Sequence, residues 1–590
     1  MKKLITALLL FLSLNACGGQ LAAVVSAYVP AGASYATVAD LIAARQQTIA
    51  DKQAYWWNRP LPDTDAGMTG TVRRYCDCGT GSDPNCVQGN DTTGDGSDAN
   101  PYRTVGAAAT WITGGSSAAW DTVALCRGGA FPTSGNLHAG TTVGTRCTVG
   151  TMCNDFRDYS STQFTSTARP KIYVTGNDET VFSLSSGVAG QYNVPPHYYN
   201  GVRIYNIEIQ GQYTTDSTDS SGIIVSNNAD IGFYNNYVHD FKIGIYNSEY
   251  FGPTGNMWAE ANYIYHNADW GYIGASDYGG LNWNDIEKNG NQNALNHNVY
   301  ISQGNALVHN FQFNGNYVTG VYGDGASDGT QVVSHSWSTA MQVKDNVVIT
   351  PDAQIGGGWG MAFSNRTGNP DPVTYTDAEF SGNIIQNGGN KMFTVTGCPN
   401  CLIASNILLM TATINGVTAM DIPDQANRGY TNEVDNTANH IVNNTIYFGP
   451  NSGGASANIG IQVDTEGTNH VIANNAIYTA QTSGTFRCFN YGLALTAYDF
   501  INNNDCYGSI ITPTWEQNHG STLADWQTYA TAYSFDANSV TSNPNFTAVG
   551  TNFHPTGAPL SGAGNNTYKP TTDILGNTRP NPPAIGAYEP

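Results

Sequence analysis

The feature that most constrains this chain is a short phrase that keeps returning along it. Asparagine followed by β-forming residues stands at Asn206-Ile207-Glu208-Ile209, Asn236-Tyr237-Val238, Asn262-Tyr263-Ile264, Asn316-Tyr317-Val318, Asn346-Val347-Val348 and Asn383-Ile384-Ile385. It returns at Asn406-Ile407-Leu408, Asn444-Thr445-Ile446 and Asn475-Ala476-Ile477. The intervals are mostly 23 to 38 residues, and no amphipathic helix pattern fits between them. Each phrase reads as a polar bend that opens a short strand. Asparagine suits such a bend because its amide bonds nearby backbone and tolerates left-handed φ; amides stacked at the strand spacing of ~4.8 Å also bond one another. One coil per interval, short Val and Ile strands and 66 Gly predict an all-β fold, a right-handed single-stranded parallel β-helix whose coils bury one face against the next.

With 12% charged and 40% hydrophobic residues, the 590-residue chain is neither a disordered acidic tail nor a collagen. Its 23 Lys and Arg against 45 Asp and Glu give counterion release no general source, so no nucleic-acid partner is expected. Lys2 and Lys3, the apolar run from Leu4 to Leu14 and Leu14-Asn15-Ala16-Cys17 resemble a bacterial lipoprotein signal. That resemblance implies cleavage before Cys17, lipidation of its thiol, and an exported monomer that meets the outer membrane or cell surface only through this anchor. The other ten cysteines read as disulfides of an oxidising compartment. Cys398-Pro-Asn-Cys401 lacks the second pair or nearby His of a zinc set, and Cys488 with Cys506 would staple neighbouring coils. Residues 18–75 read as a spacer with a short helix on Val38, Leu41, Ile42 and Ile49, ended by Pro60 and Pro62. Residues 76–590 read as the parallel β-helix, including a disulfide-rich N-terminal cap region and a C-terminal closing segment.

The stretch from Gly89-Asn90-Asp91-Thr92-Thr93-Gly94-Asp95-Gly96 to Asn100-Pro101-Tyr102-Arg103-Thr104-Val105, then Asp121-Thr122-Val123 with Gly128-Gly129, resembles the opening coil of pectate-lyase-like β-helix proteins. Ser542-Asn543-Pro544-Asn545-Phe546, Pro559-Leu560-Ser561-Gly562-Ala563-Gly564, Asp573-Ile574-Leu575-Gly576-Asn577 and Ile585-Gly586-Ala587-Tyr588-Glu589 are similar to the closing segment of the same superfamily. The resemblance implies a polysaccharide partner. The leading expectation is a calcium-assisted polysaccharide lyase that cleaves a uronate-containing glycan by β-elimination, with a non-catalytic carbohydrate-binding adhesin, a glycoside hydrolase and a uronan C5-epimerase as alternatives, because function lives in sites grafted on folds.

Chemistry is sought where outward residues stack between coils. Aligning Ile245, Ile273 and Ile301, each 28 residues apart, gives a register in which Lys242, Trp270 and Asn298 share one column, Gly244, Tyr272 and Tyr300 the next, and Tyr246, Gly274 and Ser302 a third. Tyr322, Asp324 and Lys344 are expected on the same surface. Aromatic planes suit sugar faces, so Tyr246, Trp270, Tyr272 and Tyr322, with Asn298, are the expected substrate-binding residues. Five of the eleven histidines fall between residues 239 and 335. Lys242, Lys288, His297 and Tyr300 are the candidate catalytic groups, each lysine a base for uronate β-elimination. Between residues 204 and 365 stand fifteen Asp or Glu and three Lys. Asp240, Asp269, Asp277 and Asp324, with Asp328, are candidate ligands for calcium, a hard cation that takes six to eight oxygens. The resemblance to family-nine pectate lyases likewise implies a lysine base and aspartate-held calcium. Asp240 with Asp269 as acid and base would instead hydrolyse a glycosidic bond. No phosphate-binding Gly loop, Gly-x-Ser-x-Gly elbow or His-Glu-x-x-His is present.

Overall fold

The computed structural model describes residues 35–59, 70–113, 121–134, 137–139, 154–185, 202–213, 220–226, 231–247, 254–255, 257–291, 295–322, 329–364, 374–423, 435–464, 467–492 and 494–590. Among them the chain winds through three long sheets of 14, 14 and 13 strands, each coil adding one rung to each sheet. One coil runs Ile231–Tyr234 on face A, Tyr237–His239 on face B and Ile243–Asn247 on face C; the next runs Met257–Glu260, Tyr263–Tyr265 and Trp270–Ile273. Rungs pair in parallel, as in Val238 with Ile264 and Ile264 with Ile286. This is the expected parallel β-helix. Alternation sends Phe233, Val238 and Ile245 of one coil inward, with Ala259, Ile264 and Tyr272 of the next, all fully buried. They belong to one core that runs from Tyr75 to Phe535.

The corner between faces A and B carries the amide stack. Asn236, Asn262, Asn284, Asn316, Asn346, Asn383, Asn406, Asn444, Asn475 and Asn504 are buried, and each Nδ2 donates to Oδ1 of the next at 2.9–3.1 Å. The same Oδ1 atoms accept the backbone N–H of the preceding asparagine, so no donor of this corner is orphaned. Asn206 departs from the expected alignment. It sits one position earlier, at φ 58, where Asn235 donates to its Oδ1 at 2.7 Å, and Ile207 takes the stack position as a core residue.

Before the solenoid, helix α1 (Val38–Trp57) starts at Thr37, whose side chain accepts from Asp40 N. It lies lengthwise on the A–B corner. Trp56 packs on Tyr205 and Tyr234, Lys52 pairs with Glu260 at 2.9 Å, and buried Arg45 donates to Gly382 O at 2.7 Å and to Asp345 at 3.4 Å. Its first turn joins the closing segment over one end of face B. There the outward residues Val347, Ile384, Ile407, Leu409, Tyr447 and Tyr478 are apolar and covered by Val38, Leu41, Phe553, Leu575 and Tyr588, among others. No described helix is long and apolar enough to cross a membrane. Disulfides join Cys76 to Cys126, Cys78 to Cys86, Cys398 to Cys401 and Cys488 to Cys506. Cys17, Cys147 and Cys153 lie outside the described residues.

Candidate active site

On the uncovered length of face B the outward residues are polar and aromatic. One column runs Lys171, Glu208, Tyr237, Tyr263, Asp285, Tyr317; the other runs Tyr173, Gln210, His239, Tyr265, Glu287, Thr319. Six rungs at the strand spacing make a track of roughly 24 Å. The residue after the second column turns the chain toward face C, and this corner reads Gly211, Asp240, His266, Lys288, Gly320 on consecutive rungs. Asp240, His266, Lys288 and Gly320 all have left-handed φ, at 60°, 57°, 52° and 68°. The corner geometry requires that conformation, yet three of its positions carry Asp, His and Lys where Gly or Asn would fold more easily. Their side chains stack as carboxylate, imidazole and ammonium one rung apart.

Asp240 is gripped from two sides. Its Oδ1 lies 2.7 Å from His266 Nδ1, its Oδ2 lies 2.8 Å from His239 Nδ1, and His239 Nε2 lies 3.4 Å from Glu208 Oε1. Burial pushes the Asp240 carboxyl up, but the bonds and charges of His239 and His266 outweigh it and hold the group down at about 2. Burial likewise opposes the charge on His239, and its bonds to Asp240 and Glu208 win, leaving it above the ordinary imidazole range. His266 commits Nδ1 to Asp240, which leaves Nε2 for a substrate, and its ring stacks on Tyr322 at 4.4 Å. Gly211, Gln212, Tyr213, Asp240, His266 and Tyr322 line a cleft over this pair. Gly211 is required for its closeness: a Cβ there would stand 2.2 Å from Asp240 O. Rings continue from the cleft onto the track, with Tyr265 5.5 Å from His266, Tyr263 5.4 Å from Tyr265, and Tyr237 5.0 Å from Tyr263. On the next rung exposed Lys288 holds Nζ 5.8 Å from the Tyr265 ring centre. Burial and Glu287 together push the Asp285 carboxyl up to about 8, and Tyr263 donates its hydroxyl to Glu287 at 3.3 Å.

The corner brings together Asp240, Lys288 and Tyr322 of the expected site residues, and not the others. Face C pairs Ile245 with Tyr272 and Tyr272 with Val299, one residue away from the isoleucine alignment. A slip of one reverses inward and outward. Tyr272 is therefore a core residue, and Asn298 is buried in a second amide stack with Asn289 and Gln331. His297 is buried with Nδ1 against Thr330 O at 2.9 Å, and burial holds its imidazole down at about 3. Tyr246, Trp270 and Tyr300 are half-buried on face C, with Tyr300 5.6 Å from both His297 and His335. Lys242 faces Asp269 Oδ2 at 3.9 Å, and Lys344 pairs with Glu379 from face A at 3.0 Å. Asp324 and Asp328 lie outside the described residues.

The described aspartates do not fit a calcium cage. Asp240 gives its two oxygens to two imidazoles, Asp269 accepts from Asn296 at 3.1 Å, and Asp277 accepts from His309 at 2.8 Å beyond face C. Calcium needs six to eight converging oxygens. Among the described residues the one convergent set of three metal-binding atoms is Cys76, Cys86 and Cys126, all bound in disulfides. Sequence reasoning counted His239 and His266 in the histidine cluster, with the His-Asn pair at His266-Asn267, but gave neither a role, and it did not single out Glu208 or Tyr213 for the site; only the rung alignment separates a corner histidine from a buried one.

No protein-family model matches the chain, and no curated protein matches it. Solved structures similar to it include the Dettilon tailspike protein, at 13% identity and a TM-score of 0.39, covering 72% of this chain and 67% of that one. The pectate lyase Pel9A aligns at 11% identity and a TM-score of 0.35 over 89% of this chain and 98% of its own. The A-module of the Azotobacter vinelandii mannuronan C-5 epimerase AlgE4 aligns at 15% identity and a TM-score of 0.31 over 67% and 91%.

Proposed function

We propose that this protein is a polysaccharide lyase that cleaves a uronate-containing glycan by β-elimination, with His266 as the base. The observation that carries the proposal is the Asp240–His266 contact of 2.7 Å, with Lys288 on the adjacent rung of the same corner. The uronate carboxylate meets the Lys288 ammonium, which offsets the charge that builds up as the neighbouring C–H bond breaks. His266 Nε2 takes that proton. Asp240 holds Nδ1–H and stabilises the imidazolium that forms. The electron pair of the C–H bond becomes the C4–C5 double bond as the C4–O bond breaks, and the departing oxygen takes a proton from the Tyr322 hydroxyl. Stacking on His266 keeps Tyr322 beside the base. No step runs through calcium, because the described donors do not converge.

Pectate, alginate and glycosaminoglycans, screened for the ultraviolet absorbance of unsaturated uronate with and without chelator, test the proposal. Activity on at least one, lost in His266→Ala and retained in chelator, is expected. Failure on all of them, or His266→Ala as active as the parent, refutes it. Hydrolysis is a second reading with its own observation. Asp285, pushed up to about 8 beside Glu287, is a carboxyl protonated at neutral pH next to another carboxylate, the pairing of an acid and a base. Its products carry no double bond, and its activity requires Asp285 rather than His266.

A further inference from the structure

Behind the Asp240–His266 pair stands a buried imidazole with a carboxylate at each end. His239 is 6% exposed; Nδ1 is 2.8 Å from Asp240 Oδ2 and Nε2 is 3.4 Å from Glu208 Oε1. A neutral imidazole has one N–H and one lone pair, so it would turn a lone pair toward one of these carboxylates. An imidazolium donates to both, and a buried charge persists only where such partners surround it. Tyr237 stacks on the ring at 4.0 Å, and the Arg169 guanidinium, bonded to Asn235, acts on the Glu208 charge from the previous rung.

We propose that His239 is a positioning residue, held as an imidazolium between Glu208 and Asp240, and that its positive charge lets Asp240 orient His266 without keeping that base protonated. The inference rests on the elimination reading given above. A carboxylate alone at 2.7 Å favours the imidazolium form of its partner and so works against a free Nε2 lone pair. With His239 sharing the carboxylate, the row reads minus at Glu208, plus at His239, minus at Asp240 and neutral at His266. Lys288 on the following rung adds repulsion that disfavours a second imidazolium. Tyr213, Tyr265 and Tyr322 are the other titratable side chains facing His266, and burial pushes the Tyr213 hydroxyl up.

The test uses the full chain labelled at histidine. In the parent, nuclear magnetic resonance of the His239 ring is expected to show both nitrogens protonated at neutral pH. His239→Gln keeps a donor for Asp240 but no charge. It is expected to raise the midpoint of His266, and with it the acid limb of kcat/KM on whichever glycan is cleaved, by about one pH unit. Glu208→Gln keeps the shape of the site and is expected to let His239 lose its proton at lower pH. A parent His239 with a single N–H, or a His266 midpoint unmoved in His239→Gln, overturns the inference. If no glycan is cleaved the elimination reading fails, while the ring spectra still decide the charge of His239. If His239→Gln does not fold, the parent spectrum and Glu208→Gln carry the same decision.

Discussion

Asn346 sits mid-way along the amide stack, and replacing it with Ala isolates what one member contributes. Its Oδ1 accepts from Asn316 N and Asn316 Nδ2, both at 3.0 Å, and its Nδ2 donates to Phe313 O at 2.7 Å and Asn383 Oδ1 at 2.9 Å. Asn383 Oδ1 keeps the Asn346 backbone N–H, so it is not orphaned. Three fully buried groups are: the Asn316 N–H, one hydrogen of Asn316 Nδ2, and the Phe313 carbonyl. At ~1–3 kcal/mol for each unsatisfied group, with part recovered where water enters, Asn346→Ala is expected to cost about 3–6 kcal/mol. Asn346→Asp is expected to be worse, since it sets a carboxylate against the oxygens of Phe313 and Asn383, which are both acceptors. Asn85→Ala, at an exposed turn, serves as the control and should stay within ~0.5 kcal/mol. Denaturant midpoints and unfolding rates, followed by tryptophan fluorescence and far-ultraviolet circular dichroism, measure the difference. The reasoning is refuted if Asn346→Ala lies within about 1 kcal/mol of the parent, or if the Asp variant is no worse than Ala.

Asp240→Asn is expected to lower kcat on the cleaved glycan by ~10²–10⁴-fold, because an amide does not stabilise the imidazolium formed at His266. Asp240 also carries a stability signature. Held down at about 2, it contributes above the ordinary carboxyl range and loses that contribution as pH falls toward 2, so thermal midpoints of parent and Asp240→Asn should converge in acid. Asp285 has the opposite sign. Raised to about 8, it binds a proton in the native state that the unfolded chain has released, so native stability falls as pH climbs from about 4 to 8. Asp285→Asn should flatten that fall, and a slope unchanged in the variant would contradict it. Cys488 and Cys506 close a separation of 18 residues, and Cys488→Ser with Cys506→Ser should lower stability by ~3 kcal/mol in denaturant titrations.

The fold was legible because a solenoid repeats its own evidence. Eight of the nine asparagine phrases head a rung of the amide stack. Asn284 and Asn504 escaped because an aspartate rather than a β-forming residue follows each of them, and Asn206 misled because Ile207 takes its place in the stack. The site was less legible, for a reason of arithmetic. On face C the true step from Ile245 to Tyr272 to Val299 is one residue shorter than the step between the isoleucines, which exchanged core and surface at Tyr272 and Asn298. Asp240, His266 and Lys288 stand on consecutive rungs although 26 residues separate the first two and fewer the second two. Unequal loops conceal such a column, and only strand pairing reveals it.

Helix α1 links two distant parts of the solenoid. Its last turn packs on Tyr205 and Tyr234, among the same early coils as Asp240, and its 20 residues carry the chain ~30 Å along the solenoid. At the far end Val38 N donates to Thr551 O at 2.7 Å, joining the start of the helix to the closing segment. The start of the helix therefore sits beside the C-terminal segment, a helix length away from the cleft. The helix thus straps the early coils that carry the cleft to the segment that closes the far end of face B, so loss of its packing at either end loosens both at once.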